Sequence, residues 1–96
     1  MTTYMLFIRE GEILDAEALA TYSTMNRDNP RDPNLKPLIV YGAQEAFEGE
    51  APNGVVLLEF PNAEAAKAWY NSPDYQAASE FRRKGANYRV VMLEGL

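Results

Sequence analysis

Phe60 to Tyr75 reads FPNAEAAKAWYNSPDY, and its punctuation decides the fold. Pro61 and Asn62 close a strand and open a helix, with Asn62 placed to accept a hydrogen bond from a free amide of the first turn. The capping-box partner is absent, since Ala65 stands at the third position. The alanine-rich run to Tyr70 favours helix. Ser72 and Pro73 then break and restart it. Serine takes the cap and proline the first helical position, where its missing N–H leaves nothing unsatisfied.

The flanks complete the pattern. Val55–Phe60 (VVLLEF) is a strand before the break; after it the helix runs to Lys84, stops at Gly85, and Ala86–Leu93 forms a last strand. Upstream, Glu48–Gly54 (EGEAPNG) is a turn whose closing Asn53-Gly54 signals a hairpin. Lys36–Phe47 is a second strand, with Gly42 a bulge or a point of close approach. Asn29–Asn34 (NPRDPN) is a loop. Before it, Asp15 caps a helix, Leu14 and Leu19 stand in the relation of a hydrophobic staple, and Ala18, Tyr22 and Met25 share one face. That helix must stop before Pro30. Thr3–Arg9 (TYMLFIR) is the first strand. The order is β-α-β-β-α-β, an α+β ferredoxin-like arrangement with a four-stranded antiparallel sheet and its helices on one face.

A sheet covered on one side should alternate apolar and polar residues. Here Leu38-Ile39-Val40, Val55-Val56-Leu57-Leu58 and Val90-Val91-Met92-Leu93 are apolar on both faces. With no spare element to cover the open face, a second copy is expected there, giving a homodimer packed sheet to sheet.

At 96 residues, 47% of them hydrophobic, the chain is expected to form a single domain over residues 1–96 with its own core. It contains neither cysteine nor histidine. Disulfides and thiolate metal sites are excluded, and so is the commonest general base near neutral pH. No metal or cofactor is expected, and any catalysis falls to carboxylates, tyrosines, lysines, arginines, backbone amides or else a bound cofactor. The net charge of −5 argues against a nucleic-acid partner, which requires a basic surface. The opening MTTYMLFIRE reads as a strand, not a signal peptide, and no apolar run is long enough to span a membrane. A cytoplasmic protein with no membrane partner is expected.

From Val55 onward, the strand, Phe60-Pro61, the helix to Trp69-Tyr70, Ser72-Pro73-Asp74-Tyr75, Arg82 and the closing RVVMLEG (Arg89–Gly95) together resemble the DUF1330 family of domains of unknown function. That family is part of the dimeric α/β-barrel superfamily. The resemblance covers nearly the whole chain and implies the fold and a dimer, but no reaction. Members usually carry a glycine-rich entry to the second strand and an arginine before its glycine. Leu35-Lys36-Pro37 and Tyr41-Gly42 stand there in this chain, so the role of that arginine does not carry over. The superfamily includes cofactor-free monooxygenases, small-molecule isomerases and haem-handling proteins, and fold analogy leaves the function open. Haem is not expected without histidine or cysteine, although tyrosine can ligate its iron.

Several residues invite two readings. Ser72, Pro73 and Asp74 build a helix start, with Asp74 complementing the dipole; alternatively, Asp74 is a general base beside Ser72 or Tyr75. Trp69 and Tyr70 are core residues or a ligand platform. Glu59, a charge within an apolar strand, needs a partner such as Arg9 or Arg89, or serves as a catalytic base. Arg82, Arg83 and Lys84 offset the end of the helix dipole or bind an anion. The reading is a small-molecule-binding homodimer, with a pocket between sheet and helices near Trp69, Tyr70, Ser72, Asp74 and Tyr75 and with Arg9 and Tyr41 as polar candidates. As an enzyme it would perform monooxygenase-like or isomerase-like chemistry on a small organic acid or aromatic, with Asp74 or Glu59 as base and Arg9 or Arg82 as anion anchor. The alternative is a non-catalytic sensing or interaction module.

Overall fold

Each helix begins where a side chain is available to cap it. In the computed structural model, which describes residues 1–96, Asp15 accepts from the Ala18 amide (3.1 Å) and opens α1 (Ala16–Asp28). Asn62 does the same for α2 (Ala63–Tyr70) through the Ala65 amide at 2.8 Å. Ser72 opens α3 (Pro73–Gly85) through the Tyr75 amide at 3.2 Å. Pro30 ends the first helix, which stops at Asp28 with Asn29 at its cap.

The strands are β1 (Thr3–Glu10), β2 (Lys36–Val40), β3 (Gly54–Phe60) and β4 (Asn87–Glu94). They form one antiparallel sheet in the order β2-β3-β1-β4, with β2 and β4 at the edges. This is the ferredoxin-like fold. The register sorts the side chains by face, because directly opposed residues in a ladder point the same way. Met5 opposes Leu58 and Met92, and Phe7 opposes Val56 and Val90. These residues point toward the helices, where Met5, Phe7, Leu58, Phe60, Ala66 and Tyr75 make the core. Leu6 opposes Leu57 and Val91 on the other face, which no element of the chain covers.

The first half of the chain departs from expectation in four places. The second strand ends at Val40, not Phe47, because Tyr41 takes a left-handed conformation (φ 52°) that a ladder cannot continue. Residues 41–53 therefore run as an irregular loop instead of closing a tight hairpin. Asn53 ties that loop to the end of β1: its amide donates to the Arg9 carbonyl (2.9 Å), and its side chain accepts from the Gly11 amide (2.9 Å). The bulge falls between Pro37 and Ile39 instead of at Gly42; an edge strand tolerates both the bulge and Pro37. The Leu14–Leu19 staple does not form, since Leu14 is exposed. Instead the Leu14 and Asp15 amides donate to the Gly85 carbonyl (2.7 and 3.1 Å).

Leu19 lies against Gly85 so closely that a Cβ there would stand 2.4 Å from its Cγ. Asn29 at the far end of α1 donates to the Asp74 carbonyl. α1 is thus tied to α3 at both ends and makes its close backbone contacts with α3, with Tyr22 reaching the core, while α2 and α3 pack on the sheet. The helix-facing side of β2 is left uncovered, and Val40 there is 60% exposed.

Candidate functional site

α1 lies along α3 and sends Tyr22 toward the core, over the helix-facing side of the sheet. At one end of the sheet, Gly54, Arg9 and Tyr88 form a single cross-strand row. Tyr41 joins this row because its positive φ turns the ring over Gly54. A Cβ at Gly54 would meet two Tyr41 ring carbons at 2.8 and 2.9 Å, so only glycine fits beneath the ring. A non-glycine residue held in this conformation stores strain of about 1–3 kcal/mol, a kind of strain that clusters at functional sites. The Tyr41 and Tyr88 hydroxyls share a hydrogen bond of 2.6 Å. The Arg9 guanidinium lies 5.2 Å from the Tyr41 ring centre and donates to the Asn53 carbonyl at 3.1 Å.

Arg82 approaches from α3, on the face that also carries Tyr75, Ala78 and Ser79. It is 3% exposed. Its guanidinium sits 5.6 Å from the Phe7 ring centre and 5.3 Å from that of Tyr88. Tyr75, close enough to feel that charge, shares a 2.8 Å hydroxyl–hydroxyl bond with Tyr22 of α1. Four tyrosines, in two hydrogen-bonded pairs, therefore surround two guanidinium groups.

Burial pushes the phenols of Tyr22, Tyr41 and Tyr75 above the ordinary tyrosine range. The shift of Tyr75 is reinforced by Tyr22 and partly offset by Arg82, while that of Tyr41 is reinforced by its bond to Tyr88. At neutral pH the three are uncharged hydrogen-bonding groups, not bases.

A groove of about 860 Å³ opens between the C-terminal part of α1, the 29–37 connection and the α2–α3 break. Trp69, Ser72, Asp74 and Tyr75 all line it, so the structure brings these candidates together. Trp69 is also a core residue, packed on Phe7, Phe60 and Tyr70, with its ring centre 4.2 Å from that of Tyr75. The Ser72 hydroxyl is committed to local structure, donating to the Trp69 carbonyl at 2.8 Å while accepting from Tyr75. The exposed Asp74 side chain bonds neither Ser72 nor Tyr75. Tyr70 lines a second hollow, of about 410 Å³, with Arg82 and Tyr88.

Arg9, Tyr41, Tyr75 and Arg82 fall on the helix-facing side of the sheet, linked through Tyr88, but no single cavity gathers them, and Glu59 does not join them. It opposes Tyr4 and Lys36 on the uncovered face of the sheet. The ion pair expected between Glu59 and Arg9 or Arg89 is absent: Arg89 pairs with Glu10, and Arg9 points to the other side of the sheet. Arg82 separates from its neighbours in sequence, entering the interior while Arg83 and Lys84 stay exposed at the helix end. Tyr22 and Tyr88 are site residues that the sequence reading passed over. The available signal was that a buried tyrosine needs a partner for its hydroxyl.

The family model described as Domain of unknown function (DUF1330) matches residues 2–96. The chain belongs to this family. No curated protein matches its sequence. Among solved structures, a dimeric ferredoxin-like protein of unknown function from Jannaschia sp. CCS1 is similar, with 20% identity, a TM-score of 0.68, and coverage of 99% of this chain and 100% of that one. A dimeric ferredoxin-like protein of unknown function from Bacteroides fragilis is 17% identical with a TM-score of 0.63, covering 98% and 96% of the two chains. SnoaB, a cofactor-independent oxygenase from Streptomyces nogalater, is 11% identical with a TM-score of 0.61, covering 98% and 91%. The fold is therefore shared with dimeric proteins and with an oxygenase. No helix of this DUF1330 chain is long and apolar enough to cross a membrane.

Proposed function

We propose that the protein is a homodimer that takes a small molecule into the space between α1 and the sheet. The observation that carries the reading is where the groove lies. Beside the uncovered, helix-facing side of β2 runs the groove of about 860 Å³, and Tyr75 belongs both to its lining and to the cluster of paired phenols and guanidinium groups. A fold that needed only a packed core would fill this region with apolar side chains. Instead it holds polar groups and a strained tyrosine, which fits a binding chamber with a few fixed polar contacts.

The chemistry this chamber supports is hydrogen bonding and stabilisation of negative charge. Neither carboxylate candidate belongs to the interior cluster: Asp74 is at the rim and Glu59 on the opposite face. Proton abstraction by a carboxylate is therefore the less supported part of the enzyme reading. Binding, with any rate enhancement coming from charge stabilisation, is the better-supported part.

The second copy belongs on the uncovered face of the sheet. Ile39, Leu57, Leu6 and Val91 form one row there, with Val55, Ile8, Tyr4 and Leu93 beside it. Ile39, Val91 and Leu93 are each about two-fifths exposed, and Lys36, Glu59, Glu10 and Arg89 rim the patch. An apolar centre with a charged rim is the anatomy of a stable interface, and structural relatives are dimers.

A thermal-shift screen with small aromatic and aliphatic acids, amides and phosphates tests the pocket, and sedimentation tests the dimer. Stabilisation that grows with ligand concentration and is lost in Tyr41→Phe or Tyr75→Phe supports the chamber. A flat response across the panel refutes it, and a monomer at micromolar concentration refutes the interface.

A further inference from the structure

We infer that the occupant of this chamber is a small organic anion, a carboxylate or phenolate on a planar apolar body, held by Arg82 with Arg9 as a second cation. The inference rests on the chamber proposed above and adds the charge and shape of what enters it.

Arg82 is buried to 3% exposure yet makes no ion pair, and no hydrogen bond of ordinary geometry links it to the chain. Its Nε is sealed from solvent without an acceptor, and so is the Nε of Arg9. The chain has fourteen acidic side chains against nine basic ones, and none of the acidic ones approaches either guanidinium closely enough to pair. The chain's two salt bridges, Arg27–Asp28 and Arg89–Glu10, lie at the surface. A buried cation without a counter-charge is costly, and proteins seldom keep one that has no use. Compensation for Arg82 comes from the aromatic faces of Phe7 and Tyr88 and from the neutral Tyr75 hydroxyl, none of which carries a counter-charge.

The missing partner is thus an acceptor of opposite charge from outside the chain. A guanidinium presents a planar fork that matches a carboxylate at two points. The Tyr75 hydroxyl stands beside it as a further hydrogen-bonding group, and the Tyr88 ring lies 5.3 Å from it. The rings of Phe7, Trp69 and Tyr75 pack on one another, and Trp69 and Tyr75 also line the groove, giving it an apolar wall suited to a flat body. Arg83 and Lys84, exposed at the end of α3, take no part.

The test is a heteronuclear NMR titration of the full chain with benzoate, its neutral isostere benzamide, and inorganic phosphate at constant ionic strength. It follows the Nε–H resonances of Arg9 and Arg82. Benzoate should bind at least about tenfold more tightly than benzamide and move both resonances. Arg82→Met should lose that tenfold preference, while Arg83→Gln keeps it. Equal binding of benzoate and benzamide overturns the inference and leaves the chamber standing. Binding of phosphate without benzoate overturns the organic class. Binding of none of the three overturns the inference, and a flat response in the wider screen then removes the chamber as well. If Arg82→Met does not fold, the benzoate–benzamide ratio of the unaltered protein decides.

Discussion

Replacing Arg82 with methionine should make the protein more stable. Removing a buried unpaired cation relieves a desolvation cost that remains several kcal/mol after relaxation. Against this stand the two aromatic contacts of the guanidinium, at 5.6 and 5.3 Å from the Phe7 and Tyr88 ring centres, worth about 0.5–2 kcal/mol each. Methionine recovers part of that loss, because its thioether also packs well on ring edges. No ion pair and no hydrogen bond of ordinary geometry is broken, and the Nε has no acceptor to lose. The balance is a gain of about 1–3 kcal/mol, which for a domain of this size raises Tm by roughly 5–20 °C. Urea denaturation at fixed protein concentration measures it, with an unchanged slope showing that the same structure unfolds. A loss of about 1 kcal/mol or more at unchanged slope would make Arg82 a strut of the fold and refute the view that its charge is kept for a ligand.

Stability should fall in alkali. The folded-state pKa values of Tyr22, Tyr41 and Tyr75 lie above the unfolded value near 10, so the folded form holds protons that the unfolded form releases. Their contribution is complete below about pH 10 and shrinks above it by up to about 1.4 kcal/mol per pH unit for each of Tyr22 and Tyr75. Tyr41, 44% exposed, contributes less. Melting curves and tyrosinate absorbance from about pH 8 to 11 check this, and a constant Tm across that range contradicts it. Val91→Glu, on β4 in the apolar row of the uncovered sheet face, should give a folded monomer in sedimentation, because a carboxylate buried there without a partner costs several kcal/mol; an intact dimer moves the interface elsewhere. Gly85→Ala forces a Cβ into Leu19 and should cost about 1–3 kcal/mol as overpacking. Leu19→Ala in the same chain should return part of that in a double-mutant cycle.

The second half of the chain was legible because its punctuation is local. Asn62, Ser72 and Pro73 act within one turn of their own positions, so the sequence around them carries the whole signal. The apolar two-sidedness of the strands likewise survives as an uncovered face. The region from Val40 to Gly54 was misread because its structure is set by contacts distant in sequence. Tyr41 breaks the strand to lie over Gly54, and Asn53 answers the end of β1, 42 residues away at Gly11. The site divided in the same way. Trp69, Ser72, Asp74 and Tyr75 are neighbours in sequence and in space, whereas Arg9, Tyr22, Tyr41, Arg82 and Tyr88 meet only through sheet register and helix packing. A charge such as Arg82 at the end of a helix looks the same in sequence whether it turns out to solvent or in to the rings.

The attachment of α1 chiefly to α3 has a consequence for motion. A helix clasped at Gly85 and Asp74, and touching the core through Tyr22, can loosen while every inter-strand hydrogen bond stays made. Such an opening breaks few contacts, so the amides of Ala18 to Asp28 should exchange with solvent through local events far more often than those of β1 or β3. Whatever binds beside α1 adds to the link that Tyr22 already makes between that helix and the core. Occupancy would then be recorded as slower amide exchange along α1, a clock that runs even where the bound molecule leaves no other trace.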